Sequence, residues 1–294
     1  MNFTKLQGAG NDFILVEAGG VGQDWSPLAM AMCDRHFGIG ADGLLLLLPS
    51  DTADFRMRVF NPDGSETEAC GNGLRCLVRY VVDKGLLPKK LEGAGEILVD
   101  TMAGIRRAKI HKAKGKLTKI QVGMGTPKFE AEDIPVVVGQ DVVDIKSMLS
   151  YHICVKGKEL LLNLVSMGNP HAVYFWQHSV SDFPLSELGP EVERHRMFPN
   201  RTNFEVANVI SRQQIEARVW ERGVGETLAC GSGACAVAVA AQRHGYIDNK
   251  VDIKLPGGIL GVEWDGVGEV FLSGPAEIVF TGEWPDEDRL SRVD

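Results

Sequence analysis

The chain has no surplus of basic residues. Lys and Arg total 31 against 39 Asp and Glu, a net charge of −8. A nucleic-acid or anionic-membrane binder shows a basic face. The balance argues against both partners and favours a small molecule. Long apolar runs are also missing. Leu44 to Leu48 ahead of Pro49, and Ala234 to Ala241, are far short of the roughly 20 residues that cross a bilayer. The stretch Met1 to Gly8 has neither an apolar h-region nor a small-residue cleavage site, which reads as no signal peptide and a cytoplasmic protein. The six cysteines, at 33, 70, 76, 154, 230 and 235, include no C-x-x-C pair. Zinc-ribbon and thioredoxin-like readings therefore lack their spacing, and in a reducing compartment the cysteines stand as thiols. With 294 residues, 44% of them hydrophobic, the chain can build about two domains and bury their cores without metal or disulfide.

What the sequence does contain is an internal repeat. Glu66-Thr67-Glu68-Ala69-Cys70-Gly71-Asn72-Gly73 returns as Glu226-Thr227-Leu228-Ala229-Cys230-Gly231-Ser232-Gly233. The offset between the two cysteines is 160 residues, and each block runs into an apolar stretch closed by glycine, Gly85 or Gly245. Upstream, Gly10-Asn11-Asp12-Phe13 is echoed by Gly168-Asn169-Pro170-His171 at nearly the same offset. A period this long suits two related domains rather than a solenoid.

Short β-rich runs bounded by Gly, Pro or Asp fill each half: Phe13–Val16, Phe55–Phe60, Glu96–Asp100, Lys119–Val122, Leu161–Val165, Ala172–Phe175, Ile215–Val219 and Glu269–Leu272. Helices are few. Ser26 is placed to cap Pro27–Phe37, and Gly73–Lys84 and Gly233–His244 each end at a glycine suited to a C-cap. The last two are apolar nearly all round, as a buried helix is. The expected fold is α+β, with two pseudo-symmetric domains, each a mixed β-sheet wrapped around a central buried helix. Residues 1–122 with the C-terminal 279–294 form the domain carrying Cys70, and 123–278 the domain carrying Cys230. The polar tail from Pro285 is expected to fray.

Each repeat puts a cysteine where a Gly-rich turn enters a buried helix. The first N–H groups of a helix lack intrahelical partners, and its N-terminus carries about half a positive charge. A carboxylate fits there, and a thiol there is expected to have a lowered pKa. Two such sites facing each other across a cleft could hold one carboxylate with a thiol on either side of the attached carbon. One thiolate removes a proton while the opposite thiol returns one. That is stereoinversion without pyridoxal phosphate, metal or any other cofactor, with the N–H donors stabilising the charge that develops. Structural cysteines, and a redox or metal site, are the other readings of the same residues. The repeated placement favours paired catalytic thiols, because packing does not demand cysteine at one point of both copies. Cys33 and Cys154 read as structural, Cys76 and Cys235 as core.

The sequence resembles the diaminopimelate epimerase family over almost its whole length. The specific blocks are Phe60-Asn61-Pro62-Asp63-Gly64-Ser65 running into Ala69-Cys70-Gly71-Asn72-Gly73, and Glu221-Arg222-Gly223-Val224-Gly225-Glu226-Thr227 running into Ala229-Cys230-Gly231-Ser232-Gly233. Supporting blocks are Gly8 to Phe13, Gly38 to Gly43, Ser166 to His171 and Phe198 to Asn203. The resemblance implies interconversion of LL- and meso-2,6-diaminopimelate on the route to lysine, a homodimer, no cofactor, and a cytoplasmic location (plastid for a plant protein). It matches Cys70 and Cys230 to the family's catalytic thiols. It gives Asn11, Asn61, Asn169 and Asn203 substrate contacts through their amides, Glu221 the distal ammonium and Arg222 the distal carboxylate. Gly71-Asn72 and Gly231-Ser232 supply N–H groups to the reacting carboxylate, and His171 supports the site. Gly43 stands where some relatives carry a polar side chain, so no contact is assigned there. The nearest rival is another cofactor-independent racemase of this fold, such as a proline racemase. It would share the thiols but not need Glu221, Arg222 and the four asparagines.

Overall fold

Parallel strands cannot be joined by a tight turn and need a crossover, usually a helix. Among the described residues four such crossovers set the topology. The computed structural model describes residues 1–19, 24–67, 70–87, 95–113, 116–137, 142–145 and 148–285. Glu68 and Ala69 of the first motif and the tail from 286 lie outside the described residues. The chain forms two compact units, Met1–Val122 with Gly274–Asp294, and Gly123–Ser273. The return to the first unit comes before the expected residue 279, because strand Glu277–Glu283 pairs antiparallel with Asn2–Gly8.

In the first unit Asn2–Gly8 pairs antiparallel with Asn11–Glu17. That strand runs parallel to Gly43–Leu48, with helix α1 (Ser26–Cys33) in the crossover. Gly43–Leu48 pairs antiparallel with Phe55–Phe60. Phe55–Phe60 pairs with Glu66–Thr67 and, across helix α2 (Gly71–Asp83), runs parallel to Glu96–Thr101. Two antiparallel steps, to Gly104–Ala113 and Lys116–Gly123, follow.

The second unit repeats this order of pairings. Lys158–Ser166 pairs antiparallel with Met148–Val155 and with Pro170–Phe175. Pro170–Phe175 runs parallel to Asn203–Ser211 across helix α3 (Leu185–Glu193). Gln214–Glu221 and Gly225–Thr227 follow antiparallel. Across helix α4 (Gly231–His244), Lys250–Leu255 lies parallel to Gln214–Glu221. Gly258–Glu263 and Phe271–Gly274 complete the unit. Thus α2 and α4 each sit against the strands of their own unit. Every residue from Ala234 to Ala241 is buried, and small side chains let the strands come close on all sides.

Some elements depart from the sequence expectation. Helix α1 stops at Cys33 instead of reaching Phe37. Asp34 Oδ1 accepts from the N–H groups of His36 and Phe37, both at 2.7 Å, and this local turn competes with helical bonding. Ser26 does not cap the helix. It is the first helical residue, and its N–H bonds to Asp24 Oδ1 at 3.0 Å. Both central helices start two residues earlier than expected, at Gly71 and Gly231, which makes Cys70 and Cys230 their N-caps. Helix α3 lies outside the expected set because Pro190 falls inside it; its buried Leu185, Leu188 and Val192 carry the apolar spacing. The apolar run at Leu44 is a strand, and Gly43–Leu48 is buried at every position, so no polar alternation marks it. The strand expected over 269–272 is Phe271–Gly274. Cys33, Cys76 and Cys235 are buried as expected, whereas Cys154 is exposed.

Helix α4 ends on Gly245, at φ 78°, whose N–H bonds to the carbonyls of Ala241 and Gln242. A Cβ is disfavoured in that left-handed conformation. Gly245→Ala is expected to lower unfolding free energy by about 1 kcal/mol with activity kept, as read by urea denaturation and turnover. An unchanged midpoint would contradict this role.

Candidate active site

An N-cap side chain accepts a hydrogen bond from an N–H in the first helical turn. In this protein sulfur fills that role twice. Cys70, at φ −139° and ψ 114°, accepts from the Gly73 N–H at 3.4 Å. Cys230, at φ −118° and ψ 117°, accepts from the Gly233 N–H at 3.4 Å. The extended backbone of the cap and the helix behind it fix each sulfur at the positive end of the dipole. The Gly71-Asn72 and Gly231-Ser232 amides begin the same turns.

Around Cys70, Asn72 is buried and donates from Nδ2 to Asn11 Oδ1 at 3.1 Å. The fully buried Arg75 donates to Asn72 Oδ1 at 2.8 Å. Asn11 Nδ2 in turn donates to Asp42 Oδ2 at 2.7 Å. Asn61 lies apart from this chain and bonds within its own turn, from Nδ2 to Ser65 Oγ at 2.9 Å. Arg75 and Asp42 hold the asparagines in place. Neither belongs to the expected site, although an arginine within an apolar helix is a signal visible in the sequence.

Around Cys230 the surroundings are more charged. Ser232 Oγ lies 3.5 Å from the sulfur. Glu221 lies beside Cys230 and accepts from Thr227 Oγ1 at 2.5 Å. The expected lowering of the thiol pKa is not met at Cys230. Burial pushes it well above the ordinary thiol value, and the Glu221 carboxylate adds to the rise, outweighing the bonds from Ser232 and Gly233. Burial likewise raises Glu221, against the bonds from Thr227 and Cys230. Glu221 thus stands at the thiol. Arg222 is exposed; its Nη1 donates to the Asn200 carbonyl at 3.3 Å and its backbone N–H to Asn203 Oδ1 at 2.9 Å. Asn203 is buried and also donates from Nδ2 to the Pro170 carbonyl at 2.8 Å, so its amide ties the loop to the strand.

His171 is fully buried, with Nδ1 2.7 Å from Glu205 Oε1 and Nε2 3.0 Å from Asn169 Oδ1. Glu205 is also fully buried, and no sequence motif marks it. A Cβ on Gly233 would stand 2.9 Å from Glu205 Oε1, so glycine leaves room for the carboxylate beside the first turn of α4. Among the described residues no three His, Cys, Asp or Glu side chains come together as a metal site, and no helix is long and apolar enough to cross a membrane.

The chain is similar to known proteins in sequence and in fold. The sequence model of the family described as diaminopimelate epimerase matches residues 3–130 and 163–279. The chain belongs to the diaminopimelate epimerase family. It is therefore an isomerase of the epimerase type. Relatives named diaminopimelate epimerase include one from Moorella thermoacetica, 47% identical over 289 residues, covering 97% of this chain and 99% of the relative. One from Pelotomaculum thermopropionicum is 44% identical over 288 residues, with the same coverages. One from Methanococcus maripaludis is 43% identical over 287 residues, covering 96% and 99%. Among solved structures, a probable proline racemase from Agrobacterium radiobacter superposes with a TM-score of 0.69 at 14% identity, covering 97% of this chain and 92% of that one. A phenazine biosynthesis protein from Bacillus anthracis gives 0.66 at 17%, covering 97% and 99%. At these identities the structures share the fold alone with this epimerase-family chain.

A buried thiol of raised pKa adds stability below the ordinary thiol pKa of about 8.5, and loses it as pH climbs toward the folded value. The thiolate is the reacting form. Iodoacetamide is therefore expected to label Cys230 slowly at about pH 7, with a rate still rising with pH beyond about 8.5, where an ordinary thiol levels off, as read by peptide mass spectrometry of ligand-free protein. Rapid, pH-independent labelling would contradict the burial argument.

Proposed function

We propose that the chain interconverts LL- and meso-2,6-diaminopimelate in lysine biosynthesis, with Cys70 and Cys230 as the two proton carriers. The observation that carries this reading is the repeated sulfur cap. Each unit puts a thiol at a helix N-terminus, where N–H groups can take a carboxylate. The reaction needs these two things together at one carbon. One sulfur, as thiolate, takes the α-proton: an S–H bond forms, the C–H bond breaks, and the electron pair spreads into the carboxylate. The other sulfur gives its proton to the opposite face, forming the new C–H bond and leaving a thiolate. The net change is inversion and transfer of one proton between sulfurs. The helix N–H groups of Gly71, Asn72, Gly231 and Ser232 stabilise the charge on the carboxylate oxygens.

In the ligand-free state burial and Glu221 both hold the proton on the Cys230 sulfur. Glu221 accordingly tunes the thiol. Arg222, which is exposed, takes the distal carboxylate and Glu221 the distal ammonium, and Asn11, Asn61, Asn169 and Asn203 contact substrate through amides. His171 supports them from within the core. The net charge of −8 supports a small-molecule partner rather than nucleic acid. A cytoplasmic homodimer without a cofactor completes the reading.

The test is proton NMR of reduced protein in D₂O with LL-diaminopimelate, and L-proline in parallel. Loss of the α-proton signal with growth of the meso isomer, and inert proline, is the expected result. Exchange in proline alone would overturn the assignment. Cys70→Ser and Cys230→Ser are each expected to lose epimerisation by about 10²–10⁴-fold while keeping the circular dichroism of the parent. Near-parental turnover in either would end the two-thiol mechanism.

A further inference from the structure

Position by position, the two units supply an internal control. Phe13 pairs with Gly43 as His171 pairs with Asn203. Leu45 stands against Gly73 as Glu205 stands against Gly233. Phe13 and Leu45 are both buried. The same two places in the fold therefore close with hydrocarbon in one unit and with a carboxylate on an imidazole in the other. Packing does not require the polar pair, and burying it carries a desolvation penalty that hydrocarbon avoids.

The hydrogen bonds show what the pair does. A carboxylate only accepts, so His171 Nδ1 carries a hydrogen toward Glu205 Oε1 at 2.7 Å. The other nitrogen faces a second acceptor, Asn169 Oδ1 at 3.0 Å. With Glu205 ionised, both contacts are satisfied only when the ring donates from both nitrogens. Such a ring is positively charged, and the buried Glu205 carboxylate supplies the opposite charge, with Glu221 adding to the field from nearby. Asn169 is half-buried. With its oxygen taken by the ring, its NH₂ is the end left for a ligand.

We propose that Glu205 is a positioning residue that acts through His171 to hold the Asn169 amide with its NH₂ group presented to a carboxylate oxygen of the substrate. This rests on the proposed contact of Asn169 with substrate. Glutamine at 205 keeps an acceptor for Nδ1 but removes the charge. The ring then gives up its Nε2 hydrogen, and the Asn169 amide turns to donate to the bare nitrogen. A carbonyl oxygen then faces the substrate where a donor stood, and a carboxylate is repelled.

The experiment measures kcat and KM for Glu205→Gln, Glu205→Asp, Asn169→Ala and the Glu205→Gln/Asn169→Ala double variant, with ¹⁵N NMR of the His171 ring. Glu205→Gln is expected to raise KM about ten-fold, change kcat less, and convert Nε2 from an N–H to a lone-pair signal. Glu205→Asp keeps the charge and is expected to keep both ring N–H signals and a KM nearer the parent. In the Asn169→Ala background, Glu205→Gln should add little, because coupled residues are not additive. Full additivity, an aspartate variant as impaired as the glutamine, or a ring signal unmoved by Glu205→Gln would each overturn the proposal. A parental KM in Asn169→Ala alone would instead remove the substrate contact on which it rests.

Discussion

A helix that is buried along its length can offer its N-terminus to a ligand only if something small terminates it. In both units that terminus is a cysteine sulfur accepting the N–H of a glycine three residues on, at 3.4 Å in each case. The rest of the site depends on this bond. It requires an extended cap residue, glycines that keep side chains away from the turn, and strands that bury the helix behind it. It also places a thiol and a set of N–H donors at one point, and proton exchange next to a carboxylate needs both.

The two copies of this cap differ in what surrounds them. Cys70 is half-exposed and its turn is braced by Asn72, Asn11 and the buried Arg75. Cys230 is buried beside Glu221, with Glu205 against the same helical turn. The helix dipole lowers a thiol pKa, but its effect at exposed ends is about 0.3–1 kcal/mol. Loss of hydration moves fully buried groups by up to about 3–5 pKa units. Desolvation therefore wins at Cys230, and the free protein stores a proton there. A pseudo-symmetric scaffold thus supplies two chemically distinct sulfurs, and the distinction comes from neighbours, not from the helices themselves.

Much of this is legible in the sequence. The repeat reveals two copies of one unit, and the Gly-flanked cysteines mark the helix starts to within two residues. What escapes has physical reasons. The strand at Gly43–Leu48 is buried on both faces, so periodicity says nothing about it. Pro190 hides α3, although Leu185, Leu188 and Val192 keep helical spacing. Asp34 ends α1 through a side-chain turn that outcompetes the helix. Glu205 sits in an ordinary strand sequence, Phe204-Glu205-Val206, and is recognisable as buried only once the register places it beside His171. The raised pKa at Cys230 runs against the sequence expectation for the same reason, since burial is a property of the fold and not of the motif.

The central claim is that each thiol serves one face of one carbon. It is tested most directly by α-hydrogen exchange in D₂O from each stereoisomer separately, using Cys70→Ser and Cys230→Ser. Neither variant is expected to epimerise, and each is expected to exchange the α-hydrogen of one isomer only, with retention, the two variants choosing opposite isomers. Exchange of the same isomer by both variants, or of both isomers by either, would contradict it.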